Sequence, residues 1–246
     1  MKIKNFVRPQ NIFEPNPGKD LSILVDGDNY LRLPIKIPLV TEKDNLLELL
    51  KKYVAPNLLL GDIIFISEKV VCITQNRIIL IRNIKPSRLA RFLASQIDNK
   101  RNTVNFRGFG HSTARAMHLL IEEAGYPRAI FGAAVAAVTR PIGIKGLFYA
   151  ICGKMAKSID CPMSFTLYPY NHYAKMAPLD PTGVTKKIKA QFGNETAIVD
   201  ANYIGVFSLG KSSRNIKEKF IQKVLRDNPA GQSEEMTPFF IIRKNI

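Results

Sequence analysis

Apolar residues fall in short runs along most of the chain, and prolines, glycines and polar pairs punctuate them. Residues 1–20 hold Pro9, Pro15 and Pro17 and read as an irregular lead-in. Ser22 to Leu33 predicts two short strands about the turn Asp26-Gly27. Leu33 to Val40 is extended, because Pro34 and Pro38 forbid a helix. Thr41 is placed to cap a helix through about Tyr53, with Leu46, Leu47, Leu49 and Leu50 on its apolar side. Ile63–Ser67 reads as a buried strand, Val70 to Ile73 as a second apolar run, and Asn76 to Ile81 as a further strand. Helices are expected from Pro86 to about Ile97 and from Ser112 to Ala124, the second stopped by Gly125. Ala129–Val138 and Gly146–Ile151 read as apolar strands. The rigid turn Ala177–Pro181 leads into a helix over Thr182–Phe192, followed by a strand at Thr196–Val199. A helix over Asn215–Arg226 carries Ile216, Phe220 and Val224 at spacing four, and Pro238–Arg243 is a last strand. Strands and helices intermix, so the expected class is α+β, mixed or antiparallel sheets with flanking helices.

Composition narrows the class further. With 46% apolar and 23% charged residues in 246, the chain can bury a core and is not disordered. The most apolar stretch, Phe131 to Val138, is closed off by Arg128 and Arg140 before it could span a bilayer. The first ten residues lack the apolar middle of a signal peptide, so the cytoplasm is the expected compartment and no membrane is an expected partner. Cys72, Cys152 and Cys161 form no C-x-x-C, and three histidines show no zinc spacing. His111 and His118, with no acid nearby in the predicted helix, read as structural.

Charge is the unusual feature. Thirty-six Lys and Arg against twenty Asp and Glu give +16, a field that attracts nucleotides, phosphorylated metabolites, acidic peptides or nucleic acid. The bases are dispersed and no aromatic RNA-binding signature accompanies them, so a featureless basic surface explains the charge equally well. Arg140-Pro-Ile-Gly-Ile-Lys145-Gly could hold phosphate, although a basic turn is the simpler reading.

Gly205 to Ser212 spells the phosphate-loop pattern G-x-x-x-x-G-K-S. Its interior, Val206-Phe-Ser-Leu209, reads as a strand returning to a core rather than a loop of small residues. Only 34 residues follow Ser212, too few for the parallel sheet that such nucleotidases build after the loop. The pattern is therefore read as coincidence. Just upstream, Val199-Asp-Ala-Asn202 ends an apolar run with a carboxylate and an amide, a common way to present ligands at a strand end.

Five stretches in order carry a family resemblance. They are Lys36-Ile-Pro-Leu-Val-Thr-Glu-Lys-Asp-Asn-Leu46, Gly61-Asp-Ile-Ile-Phe-Ile-Ser-Glu-Lys-Val-Val71, Ala177-Pro-Leu-Asp-Pro-Thr-Gly183, Ala197-Ile-Val-Asp-Ala-Asn202 and the segment from Gly231 to Arg243. With them the chain resembles the coenzyme F420-0:γ-glutamyl ligase family. The resemblance implies a single ligase-like unit over 1–246, with 1–32 as an N-terminal extension and 33–246 as the ligase-like region. It implies the family's own α+β fold, not a P-loop, and a homodimer. It also implies joining of L-glutamate, through an acyl phosphate made by GTP, to a carboxylate of a phosphorylated deazaflavin-type acceptor.

Carried over onto this sequence, the resemblance makes Asp160, Asp200 and Gln232 ligands of Mg²⁺ or Mn²⁺, with a monovalent cation as a further candidate. It makes Ile37, Pro38, Leu39, Val40, Ser67, Glu68, Gly231, Gln232, Ser233 and Thr237 nucleotide contacts. Simpler roles stand beside these. Asp200 could end a strand and cap a turn, Asp160 could belong to a surface turn with Pro162, and Gln232 could sit in an ordinary polar loop. Asp160 is followed by Cys161-Pro162 and Asp200 by Ala201, where the family has other residues. The alternative function is a ligase-fold protein that has become a non-catalytic binder of nucleotide or nucleic acid.

Overall fold

Asp26 and Gly27 both take positive φ, 53° and 89°, and close a two-residue turn between β1 (Ser22–Val25) and β2 (Asp28–Ile35). This is a computed structural model, which describes residues 13–97, 113–163, 167–202, 205–231 and 234–245. Hairpin β1–β2 pairs through β2 with β8 (Phe239–Asn245), which runs antiparallel to it and to β3 (Ile63–Ser67). Strand β3 lies parallel to β6 (Glu195–Asn202), and β6 lies antiparallel to β7 (Gly205–Lys211). Among the described residues the result is a six-stranded mixed sheet in the order β1-β2-β8-β3-β6-β7. The fold is the α+β class expected, a mixed sheet with flanking helices.

Alternation along the strands explains why both faces are covered. Ile64 and Ile66 of β3, with Phe239 and Ile241 of β8, enter one core with Leu50, Val54, Ile188 and Ile198. Phe65, Phe240 and Ile242 enter the opposite core with Val199, Ile221 and Val224. Complete burial of each such side chain stabilises by about 1.5–3 kcal/mol, and a one-residue slip would exchange the two faces. The register of the central strands is fixed by that cost.

Asn45, not Thr41, caps the first helix: its side chain accepts from the N–H groups of Leu47 and Glu48 at the start of α1 (Leu46–Leu49). Asp44 accepts from both the N–H and the hydroxyl of Thr41, which holds that residue outside the helix. The chain continues as a π turn, Leu50–Val54. Val70 to Ile73 belongs to α2 (Glu68–Thr74), directly after β3. A small antiparallel pair, β4 (Ile78–Leu80) with β5 (Tyr173–Lys175), lies outside the main sheet. Helices α3 (Arg88–Ser95) and α4 (Ala114–Ala124) fall where they were expected, α4 capped by Thr113.

The two expected strands after α4 are helices: α5 (Tyr126–Thr139) and α6 (Leu147–Lys157). Pro127 sits in the first turn of α5, and Ala133, Ala134, Ala136 and Ala137 are strong helix formers, so apolarity there reflects helix packing rather than a strand. These four helices share a third core that includes Leu93, Met117, Leu120, Ala129 and Cys152. Among them His118 does meet an acid, with Nε2 3.4 Å from Glu122 Oε1 one helical turn away. Asp180 caps α7 (Pro181–Phe192) by accepting from Gly183 N–H, and α8 (Glu218–Val224) follows β7.

Candidate active site at the ends of beta3 and beta6

Parallel strands deliver their last residues to one edge of the sheet, and here Ser67 of β3 registers with Val199 of β6. Glu68, the first residue of α2, and Asp200, the next residue of β6, therefore follow that registered pair side by side. Asp200 is nine-tenths buried. Beside it β7 carries a bulge: Ile198 pairs with Gly210 but Val199 with Ser208, which leaves Leu209 extra.

A second pair joins them. Asp160 and Lys175 bridge through their backbones, the Lys175 N–H donating to Asp160 O at 2.8 Å. The Lys175 side chain is completely buried. Its Nζ lies 2.7 Å from Glu68 Oε1 and 3.8 Å from Asp160 Oδ2, and it donates to the carbonyl oxygen of Ser158. Lys69, one-third exposed, reaches Asp160 Oδ2 at 3.5 Å. The centre thus holds Glu68, Asp160 and Asp200 about two ammonium groups.

Burial raises the Glu68 carboxyl to about 8, since Lys175 only partly offsets the cost of desolvation. Lys175 is held charged: burial works against it, but Glu68, Asp160, Cys72 and Asp200 together outweigh burial. Neither Glu68 oxygen has an aligned hydrogen-bond donor, so its contact with Lys175 is one of charge and distance. Burial also lifts the Cys72 thiol to about 12, and its Sγ donates to Met176 O, so this cysteine is a neutral neighbour rather than a nucleophile.

The expected nucleotide strips meet at the same sheet edge. The Ile37 N–H donates to Met236 O at 3.0 Å, and the Ser67 N–H donates to Pro238 O at 2.8 Å. Thr237 Oγ1, between them, accepts from Asn16 Nδ2 at 2.7 Å. Ile37 and Val40 are buried in the core, which leaves Pro38 and Leu39 as the exposed members of their strip. Gly231 closes a turn, its N–H donating to Asn228 O. Gln232 and Ser233 lie outside the described residues. A cleft of about 790 Å³ runs alongside, lined among others by Asn16, Lys36, Lys52, Glu235 and Thr237.

The carboxylates do not suit a resident divalent ion. Among the described residues no three or more His, Cys, Asp or Glu are placed to hold one. The position between Glu68 and Asp160 is taken by the Lys175 ammonium. The phosphate-loop spelling has no loop either, since Gly205–Lys211 is the continuous strand β7 and Lys211 Nζ donates to Ile216 O at 2.8 Å. Arg140 lies at the turn after α5, where its guanidinium donates to Gln96 O. Lys175 was the residue missed by sequence reasoning: it stands in no recognised pattern, and only the fold brings it to the acids.

Among the described residues no helix is long and apolar enough to cross a membrane. No curated protein is similar enough to this chain to count as a match. A family model described as F420-0:Gamma-glutamyl ligase matches residues 34–201, which is 168 of 246 residues. The match includes Glu68, Asp160, Lys175 and Asp200 and stops before β7. It indicates a γ-glutamyl ligase of coenzyme F420 biosynthesis. The chain belongs to the F420-0:γ-glutamyl ligase family.

Proposed function

We propose that the protein is a GTP-dependent amide ligase that adds L-glutamate to a carboxylate on a phosphorylated deazaflavin-type acceptor. In this reading the acceptor carboxylate attacks the γ-phosphorus, the bond to GDP breaks, and an acyl phosphate forms. The glutamate amine then attacks the acyl carbon and loses a proton, and inorganic phosphate leaves as the amide closes. The protein's part is positioning and charge, since phosphoryl transfer needs little covalent help. Lys36 and Lys52 bring two ammonium groups for phosphate to the cleft beside the Thr237 loop, which Glu14, Glu234 and Glu235 also line. The divalent ion enters with the triphosphate as part of the co-substrate, with Asp200 as its proposed ligand. A homodimer is the proposed assembly, to be checked by light scattering.

One observation carries the reading: three stretches distant in sequence, at Ile37, at Ser67 and at Met236 to Pro238, are stitched by backbone hydrogen bonds beside Asp200. Calorimetry with GTP and Mg²⁺, and with ATP as comparison, tests it. Heat of binding is expected from the wild type and from Lys211→Ala, with loss in Asp200→Ala. No heat with either nucleotide would sink the proposal. The +16 charge favours one rival, a polyanion binder on the same fold. That rival requires RNA or DNA retention that falls steeply with salt and ignores Asp200→Ala.

A further inference from the structure

The family to which this chain belongs brings the expectation of a metal at Asp160 and Asp200, yet a lysine stands among these acids. Lys175 is not a surface residue folded inward by chance. Its backbone is paired to Asp160 in both directions, with Lys175 N–H to Asp160 O and Asp160 N–H to Lys175 O at 2.8 and 3.3 Å. Its stem is fully buried, and its ammonium is shared by Glu68 Oε1, Asp160 Oδ2 and the Ser158 carbonyl. Those are hard oxygen donors, the kind a divalent cation takes. Lys69 adds a second ammonium on the outer side of Asp160.

Charge counting agrees with the geometry. Three carboxylates against two ammonium groups leave one negative charge when Glu68 is ionised and none when it is protonated. With Lys175 in place a divalent ion would bring the cluster to a net positive charge; otherwise it would have to displace a cation that is covalently tethered and desolvated already.

We infer that Lys175 is a built-in replacement for a resident divalent ion: the free protein binds none at Glu68, Asp160 and Asp200, and removing the lysine frees the acids it holds apart to close on one. As a positioning residue, Lys175 holds Glu68 and Asp160 at fixed spacing and cancels charge that would otherwise repel a triphosphate. This assignment stands apart from the nucleotide reading, because it concerns the protein with no nucleotide present.

The test is titration of the full chain with Mn²⁺ alone, followed by the loss of the free-ion signal in electron paramagnetic resonance. The wild type should leave that signal undiminished. Lys175→Met should gain equimolar uptake and a melting temperature that rises with Mn²⁺, and Lys175→Met combined with Asp200→Asn should lose both. Equimolar uptake by the wild type that Asp160→Asn or Asp200→Asn abolishes would overturn the inference. So would a folded Lys175→Met protein that takes up nothing. Should Lys175→Met fail to fold by circular dichroism, Lys175→Gln, which keeps a donor for the Ser158 carbonyl, replaces it, and the wild-type titration still decides. Nucleotide calorimetry is a separate measurement, so a failed nucleotide reading cannot be mistaken for a failure here.

Discussion

Gly205 and Gly210 are the two fixed glycines of the phosphate-loop spelling, and the structure gives them opposite roles. A Cβ built on Gly210 would lie 2.5 Å from the Pro181 carbonyl oxygen and 2.7 Å from Thr182 N, with the Pro181 carbonyl carbon closer still. All three obstacles are backbone atoms in the first turn of α7, which Asp180 and Pro181 fix in place. No rotamer change can relieve the clash, so strand β7 and helix α7 would have to separate. Overpacking of this kind costs typically 1–3 kcal/mol, and rigid backbone on the far side puts Gly210→Ala at about 3 kcal/mol. For a chain of this size that lowers the melting temperature by about 6–12 °C. A Cβ on Gly205 meets no heavy atom within 4 Å, so Gly205→Ala should change stability by less than about 0.5 kcal/mol. Thermal and urea unfolding followed by circular dichroism measures both variants. Equal losses from the two, as a phosphate loop requiring both glycines would give, would refute the strand assignment and the close approach; so would an unaffected Gly210→Ala.

Two further outcomes follow from ion pairs away from the site. Arg243 grips the buried Asp62 with two hydrogen bonds, Nε to Oδ1 at 2.9 Å and Nη2 to Oδ2 at 2.7 Å, and also donates to Asn57 O. Arg243→Ala leaves that carboxylate without its counter-charge and should lower the urea-derived stability by about 2–3 kcal/mol, Arg243→Lys by less; a change below about 0.5 kcal/mol would contradict the pairing. Asp227 is held below its ordinary range: its own partial burial would raise it, but the buried Arg32 guanidinium overrules this by hydrogen bond and charge. Its folded value lies beneath the unfolded value near 3.8, so the stabilisation is present above that pH and is lost as pH falls through the lower range. Asp227→Asn should therefore be less stable than the wild type near neutrality and flatter in the acid limb, and parallel acid unfolding curves would count against the assignment.

The parts legible in the sequence were those set by local chemistry. Asp26-Gly27 specified its turn, Asp180-Pro181 specified the start of α7, and the apolar run Phe239-Phe-Ile-Ile242 specified β8. Apolar runs alone did not separate strand from helix at 129–138 and 146–151, because burial against neighbouring helices demands the same side chains as burial in a sheet. Alanine content and Pro127 were the available signals. At the site, Asp200 was marked by its place at the end of an apolar run, and Glu68 by the resemblance. Lys175 carried no mark, since its meaning depends on a backbone bridge to Asp160 that no spacing encodes.

Strand β8 lies between β2 and β3 although more than two hundred residues of chain separate β2 from it. Until residues 239–245 are available, β2 and β3 each present an open edge, and hairpin β1–β2 has no strand linking it to the parallel pair. During synthesis the sheet can therefore close only late, after all the helices have emerged. A slow, topology-limited folding step is the consequence, with two strand edges left open to intermolecular pairing until β8 arrives.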